Sequence, residues 1–405
     1  MRTVQNDGGT VLLFMRVCLL VSAATPLIYY LLSFFCVIDF FRSRPRPLRQ
    51  GHGFAPPASI IKPVRGMDRD AYKNFASFCR LDYPEYEILF AVAEEDDPVV
   101  PVIRKLQKDF PERSIRLITR IPAVGANNKV NSLCRLVEEA SYDLLVMSDS
   151  DVRVEPDYLR QVSAPFADSR VGAVTALYRS FPVAGFVSAL KALGMAMDSA
   201  PAALVARKLE GNMQFAFGWT MATTRRCLRS IGGWEGMANH HSDDFELGNR
   251  LAHHGFRVEM LRKPVGMVFP SEPLRQFLGS EMRWSIGLRN VRPAGYWGLA
   301  LTQGLPWSLL AAFTVVTAHW SWSIAAAYLL SYLVLRIGLT WTTGVWGLQD
   351  QVVTRNLWLV PVRDALNFMV WISGFFSDEI SWRGLSYRVD HGLLVPVHRG
   401  HDANS

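Results

Sequence analysis

Hydrophobic and polar positions divide the chain into three stretches. Residues 17–38 form an uncharged apolar run, long enough to cross a bilayer as a helix, which takes about 20 residues. The run exceeds a signal-peptide core, and no small-residue cleavage site follows it. Asp39 closes it, and a basic, Pro-rich stretch follows with Arg42, Arg44, Arg46 and Arg49. A basic flank of this kind stays in the cytoplasm. The expected topology therefore puts the N-terminus outside and the next domain inside.

From Ala58 the pattern changes to short apolar runs alternating with amphipathic ones. Residues 58–64, 86–93, 114–119 and 144–147 read as strands, and residues 99–110 and 127–140 as helices; the second helix carries Val130, Leu133 and Leu136 on one face. Strands alternating with helices imply an α/β domain with a mostly parallel sheet and right-handed crossovers. After about Arg292 the chain turns apolar again. Residues 305–318 and 322–335 are strongly hydrophobic, and residues 357–376 are apolar except for Arg363 and Asp364. The stretch 323–346 is the best second span, with Arg336 inside it. The others read as spans, re-entrant segments or interfacial helices. The expected organisation is an anchor over 1–41, a linker over 42–57, an α/β domain over 58–292, membrane segments over 293–380 and a basic tail over 381–405. Arg383, Arg388 and Arg399 in that tail argue for a cytoplasmic C-terminus.

Half of the 405 residues are hydrophobic and the net charge is +7, a mixture suited to a soluble domain fixed to membrane helices. The basic residues are dispersed or flank apolar segments, which favours an anionic membrane surface over nucleic acid as the partner. The five cysteines include no Cys-x-x-Cys pair. They form neither a disulfide framework nor a zinc site, and the α/β domain is expected in a reducing compartment.

Several polar clusters could carry chemistry. Asp149-Ser150-Asp151 follows the apolar run 144–147, and ligands of open α/β sheets bind beyond the carboxyl ends of the strands. Two carboxylates one residue apart can hold a divalent cation that bridges a diphosphate, or be solvated loop residues. Glu94-Glu95-Asp96-Asp97-Pro98 can meet the ribose or base of a nucleotide, or be an acidic turn opening a helix. Gly125-Ala-Asn-Asn-Lys129 leads into a helix whose first turn suits a phosphate, or is an ordinary Asn-capped start. His240-His241-Ser242-Asp243-Asp244 opens a further helix. Asp244 would point back toward the pocket as a general base, with helix capping as the competing role. The two histidines point apart and are unsuited to share a metal. Glu281-Met-Arg283-Trp284 can bind and shield a diphosphate, or anchor the chain at the interface.

Taken together, these clusters resemble the lipid-directed glycosyltransferases of the GT-A fold, in particular the ceramide glucosyltransferase family, glycosyltransferase family 21, with its bacterial hopanoid-associated members. The motifs that carry the resemblance run from Lys62-Pro63-x-x-Gly66 through Leu81-Asp82-Tyr83-Pro84, Asp96-Asp97-Pro98, Gly125-x-Asn-x-Lys129, Asp149-Ser-Asp151, Asp243-Asp244-Phe and Arg283-Trp284 to Ile380-Ser-Trp382-Arg383-Gly384. The resemblance implies a GT-A (Rossmann-like, mostly parallel) cytoplasmic domain with an N-terminal transmembrane helix and C-terminal membrane helices. It implies that Asp97 and Lys129 hold the nucleotide of a UDP-sugar, and that Asp149 and Asp151 bind Mg²⁺ or Mn²⁺. Asp244 is then the catalytic base, and Arg283 and Trp284 close over the diphosphate. Residues 211–233, with Gly218-Trp-Thr-Met-Ala, form the acceptor-side wall. Ser280 stands at the first position of the family's Gln/Arg-x-x-Arg-Trp motif, a departure, and no histidine is found near Ala196-Met-Asp-Ser-Ala-Pro. The implied reaction is inverting transfer of glucose from UDP-glucose to a lipid hydroxyl such as ceramide, in a multi-pass membrane protein of the bacterial inner membrane. Transfer of N-acetylglucosamine to a hopanoid is the nearest alternative. A processive polysaccharide synthase and a non-enzymatic nucleotide-binding receptor are more distant ones.

Overall fold

The computed structural model describes residues 7–43, 54–181, 185–382 and 384–397. Most of the 42–57 linker, with Arg44, Arg46 and Arg49, and also Arg383 and Arg399, lie outside the described residues. The strands are β1 (Ala58–Val64), β2 (Tyr86–Val92), β3 (Ser114–Ile118), β4 (Leu144–Ser148), β5 (Val152–Arg153), β6 (Val171–Ser180), β7 (Thr220–Thr224), β8 (Arg257–Met267), β9 (Glu379–Trp382), β10 (Leu385–Asp390) and β11 (Leu393–Pro396).

β1 to β8 form one sheet in the order β3-β2-β1-β4-β7-β6-β8-β5. The first four strands are parallel, as their alternation with helices requires. β7 then runs antiparallel to both β4 and β6, while β6 and β8 are parallel. Fully buried β1, β2 and β4 explain the near-continuous apolar runs. Pro63 is tolerated in central β1 because the pairing with β4 ends at Ile61↔Met147, so its missing N–H breaks no bond on that side. The strand order reverses between β1 and β4, which opens a crevice beyond their carboxyl ends.

The N-terminal apolar element is longer than residues 17–38. Helices Asp7–Ala23 and Thr25–Arg42 adjoin and together make a 34-residue candidate span, Gly9–Arg42. Asp39 does not end it; Asp39 stays helical and pairs with Lys208 at 3.1 Å. Tyr30, Val37 and Phe40 are buried in the same core as the sheet, so the lower end of the anchor is part of the domain packing.

Among the described residues three helices are long and apolar enough to cross a membrane, or four if a bent pair counts as one span. Trp322–Gly347 is one of them, as the pattern over 323–346 suggested. Phe186–Leu209 also passes on hydropathy, but 72% of its window is buried inside the molecule. Its apolar residues meet protein rather than lipid over most of its length. Residues 293–302 and 304–317 form the pair bent by 49°. Val360–Ser373, at 14 residues, is too short to span.

Much of the described part of the expected basic tail lies in β9–β11, a three-stranded antiparallel sheet over Glu379–Trp382, Leu385–Asp390 and Leu393–Pro396. Ile380, Tyr387, Val389 and Leu394 alternate inward and bury Ile286 of the helix Leu274–Val291. A short alternating sheet buried on one face was masked in sequence by polar residues, Arg388 among them, on its other face.

Candidate functional site

The turn after β4 carries Asp149 and Asp151 and is pinned from several sides. Lys62 of β1 is fully buried. Its ammonium donates to the carbonyls of Ser148 at 3.3 Å and Asp149 at 3.0 Å and lies 3.8 Å from the centre of the Phe78 ring. Burial pushes its pKa down to about 7. The Asp149 N–H donates to the Trp219 carbonyl at 3.3 Å and the Val268 N–H to the Asp151 carbonyl at 2.9 Å. Ser150 donates to Asp68. The backbone of the turn is thereby fixed while the Asp149 side chain stays 36% exposed in the crevice.

Asn127 caps the helix Asn128–Glu139, its side chain accepting from the N–H groups of Lys129 and Val130. Its amide nitrogen also donates to the His240 carbonyl at 2.8 Å, which ties this helix start to the loop before Asp244. Lys129 extends from the first turn to Asp149 at 3.1 Å and to Asp243 at 3.3 Å. Burial opposes its charge, but Asp149, Asp243 and Asp244 outweigh that cost and raise its pKa above the usual lysine range. The cap and the cluster role therefore coexist at one helix start.

Asp244 sits in the first turn of the helix Asp243–His253. It accepts from Gly218 N–H at 2.9 Å and from Phe245 N–H at 2.8 Å. Ser242, the capping candidate, makes no side-chain cap bond. Burial, and then the neighbouring Asp243, push the Asp244 pKa up to about 6 despite Lys129. Gly218 is closely packed here: a Cβ on it would stand 3.1 Å from Lys129 Nζ and 3.2 Å from Asp244 Oδ2, so both side chains would have to shift.

Trp219, next in sequence, stacks on Phe217 with ring centres 4.4 Å apart and faces Trp284 at 6.5 Å. Its indole N–H is held by the Ala176 carbonyl at 2.6 Å. An aromatic floor thus runs from beside Asp244 to the helix Leu274–Val291. Trp284 is 48% exposed at its end. Arg283 turns the other way, over the Trp382 ring at 5.5 Å.

Asp97 lies on the same edge of the sheet, but both of its oxygens are engaged, one by Gly66 N–H at 2.8 Å and one by Val99 N–H at 2.9 Å. It joins the turn after β1 to the turn after β2, and each oxygen keeps a lone pair for a ligand. Ser280 bonds only to the Gln276 carbonyl of its own helix. The two histidines diverge: His240 lies 3.8 Å from Glu246, whereas His241 lies beside Trp382. Burial and Arg283 push the His241 pKa down to about 4.

Lys129, Asp149 and Asp243 thus form one cluster with Asp244 beside the turn that carries Asp151, and Trp219, next to the Gly218 that holds Asp244, leads to Trp284. Asp97 joins the turns after β1 and β2, and Arg283 lies over Trp382. Sequence reasoning passed over Lys62, Asp243 and Trp382 as site residues. A lysine inside an otherwise apolar strand was the available signal for the first. The other two stand in the motifs that carry the family resemblance, Asp243-Asp244-Phe and Ile380-Ser-Trp382-Arg383-Gly384, which gave them no role.

Among the described residues no three His, Cys, Asp or Glu side chains form a ready metal cage. The Asp149/Asp151 pair fits a hard divalent ion that takes one or two carboxylates from the protein and the remainder from phosphate and water. The surplus of carboxylates over Lys129 leaves negative charge there for such an ion to meet.

The description "Glycosyl transferase family 21" matches residues 18–395. Ceramide glucosyltransferase 3 of Caenorhabditis elegans is 26% identical over 230 residues, 56% of this chain and 50% of that protein. A beta-monoglucosyldiacylglycerol synthase of Synechocystis is 24% identical over 260 residues, 62% of this chain and 52% of that protein. The chain thus spans about half the length of the curated relatives it matches. Among solved structures, a mannosyltransferase from Pyrobaculum calidifontis in complex with GDP-Man and Mn²⁺ superposes with a TM-score of 0.51 at 17% identity, covering 90% of this chain and 99% of that one. The last likeness is one of fold.

Proposed function

This chain belongs to glycosyl transferase family 21, and we propose that it is a membrane-bound inverting glycosyltransferase that moves glucose from UDP-glucose to the hydroxyl of a lipid such as ceramide. The observation that carries this reading is the convergence of Asp149, Lys129 and Asp244 beside the Trp219–Trp284 floor, on the edge of the sheet where α/β proteins bind ligands. The lipid relatives differ in acceptor, and what they share is a lipid alcohol.

Asp244 takes the proton of the acceptor hydroxyl as its oxygen forms a bond to the anomeric carbon. The bond from that carbon to the diphosphate breaks on the opposite face, UDP leaves, and a β-glycoside results. A carboxylate with a pKa about 6 is ionised at neutral pH yet more basic than a free aspartate. Gly218 N–H and Phe245 N–H orient it. Lys129 places a positive charge between Asp149 and the base, where a diphosphate would lie. A Mg²⁺ or Mn²⁺ ion held by Asp149 and Asp151 supplies charge neutralisation of the leaving diphosphate when bound. Lys62 keeps that turn in place from below. Asp97 contacts the nucleotide and Trp284 covers the diphosphate, while Arg283, expected to close over it as well, lies over the Trp382 ring instead.

The membrane helices serve an acceptor that cannot leave the bilayer cheaply, since each buried CH₂ is worth about 0.8 kcal/mol. The catalytic domain faces the cytoplasm, where UDP-sugars are made. The test is incubation of membranes containing the protein with several UDP-sugars and with ceramide, diacylglycerol or a hopanoid alcohol, followed by mass analysis. A β-glucosyl lipid is expected. Transfer of N-acetylglucosamine to the hopanoid alone would replace the donor and acceptor named here, and absence of any sugar transfer would sink the reading.

A further inference from the structure

A chain of five charged side chains runs through the membrane-side helices and ends on the helix that carries Arg283 and Trp284. It begins at Asp364, which accepts from Arg336 Nε at 3.0 and 3.1 Å and from Tyr332 at 2.9 Å. Arg336 also donates to Asp198 Oδ1 at 2.6 Å and to the Met197 carbonyl at 2.8 Å. That carbonyl lies in the π-helical turn Met195–Ser199, whose wider ladder disturbs the ordinary helical pairing. Arg363 follows, 3.8 Å from the other oxygen of Asp198 and in a charge-assisted hydrogen bond to Glu281 Oε2. Both arginine side chains are 5% exposed.

The links differ in quality. Asp198 Oδ2 and Arg363 Nε are buried without a hydrogen bond, so Arg363 is committed to Glu281 and only loosely to Asp198. Its approach is built in. A Cβ at Gly194 would stand 2.7 Å from Arg363 Nη2, and the guanidinium lies 5.4 Å from the Phe277 ring. Phe277, Glu281 and Trp284 recur at helical spacing on one face of Leu274–Val291. Arg363 grips the first two. The third faces Trp219, whose neighbour Gly218 holds Asp244.

We propose that Arg363 is a positioning residue for sugar transfer: through Glu281 it fixes the register of the helix bearing Arg283 and Trp284 against Trp219. The pair ends on Glu281, one turn before Trp284, the residue of that helix that faces Trp219. This inference rests on the donor-site reading of Trp284.

The test uses the full chain in membranes, with steady-state kinetics for donor and acceptor. Glu281→Gln and Arg363→Lys should each raise the donor KM about tenfold, while the acceptor KM stays within about twofold. Trp284→Ala is the benchmark and should raise the donor KM at least as far. Where Arg363→Lys fails to fold, Glu281→Gln, whose amide can still bond to Arg363, carries the test. A wild-type donor KM in Glu281→Gln, alongside a raised one in Trp284→Ala, overturns the positioning role. Equal rises in donor and acceptor KM overturn it too, since loosened packing would do the same. An unchanged donor KM in Trp284→Ala refutes the donor-site reading itself, and this inference with it.

Discussion

Two clusters of buried charge stand a short way apart in this molecule, and they are built differently. Beside the sheet, Lys129 meets Asp149, Asp243 and Asp244, one cation against three carboxylates, with Asp149 open to the crevice. Among the membrane-side helices, Arg336 and Arg363 meet Asp364, Asp198 and Glu281, and nearly every charge is bonded and buried. An ion cluster left negative and open has capacity for a cationic or phosphate-bridging ligand. A closed one, with two arginines bonded among three carboxylates, is a fastening, because removing one partner leaves a buried charge without its counter-ion.

Breaking the fastening should have the largest effect. Arg336→Leu leaves Asp364 buried without its cation and should destabilise the folded protein by about 3–5 kcal/mol. Size-exclusion recovery and thermal unfolding of the solubilised protein would show it, and a fully stable variant would contradict the contrast. At the open cluster the opposite is expected. Asp244→Asn should lower kcat about 10³-fold with little change in thermal stability, which single-turnover assays would read.

A finer probe is Gly218→Ala. The added methyl group presses on both Lys129 and Asp244 and should lower kcat/KM about tenfold through misplacement of the base. The smallest effect is a matter of pH. The Asp244 pKa is raised to about 6, so lowering the pH through that value protonates the base. The kcat/KM profile of the free enzyme should fall on its acid side with about a tenfold loss per unit below pH 6, and Asp244→Asn should flatten that limb. A flat wild-type profile from pH 5 to 7 would argue against Asp244 as the base.

Much of the first half of the sheet was legible because β1, β2 and β4 are almost wholly buried and helices separate β1 to β4 along the chain. β1, β2, β3 and β4 fall where their apolar runs lie. The second half was harder. β7 is short and enters antiparallel, and Phe186–Leu209 has the hydropathy of a span but is surrounded by protein. Hydropathy records how apolar a helix is and cannot distinguish lipid from a protein core as its solvent. The sheet β9–β11 was hidden for the related reason that its outward face carries arginine. Of the candidate residues, Lys129, Asp149 and Asp244 were read from local signals, a capped helix start, a strand end and a helix N-terminus. Arg336 was noticed only as an interruption of an apolar run, and its partners Asp198 and Asp364 come from helices far away in sequence.

By itself the sequence determined the family, the parallel α/β half and the order of the acidic motifs, since these depend on periodicity and on residues near one another along the chain. Only the tertiary structure decided which carboxylates share Lys129, that Asp97 is already bonded within its turns, and that the arginines of the apolar segments are paired. Charge pairing across distant helices depends on distances that no local pattern encodes, and burial makes those distances decisive by removing the water that would otherwise screen them.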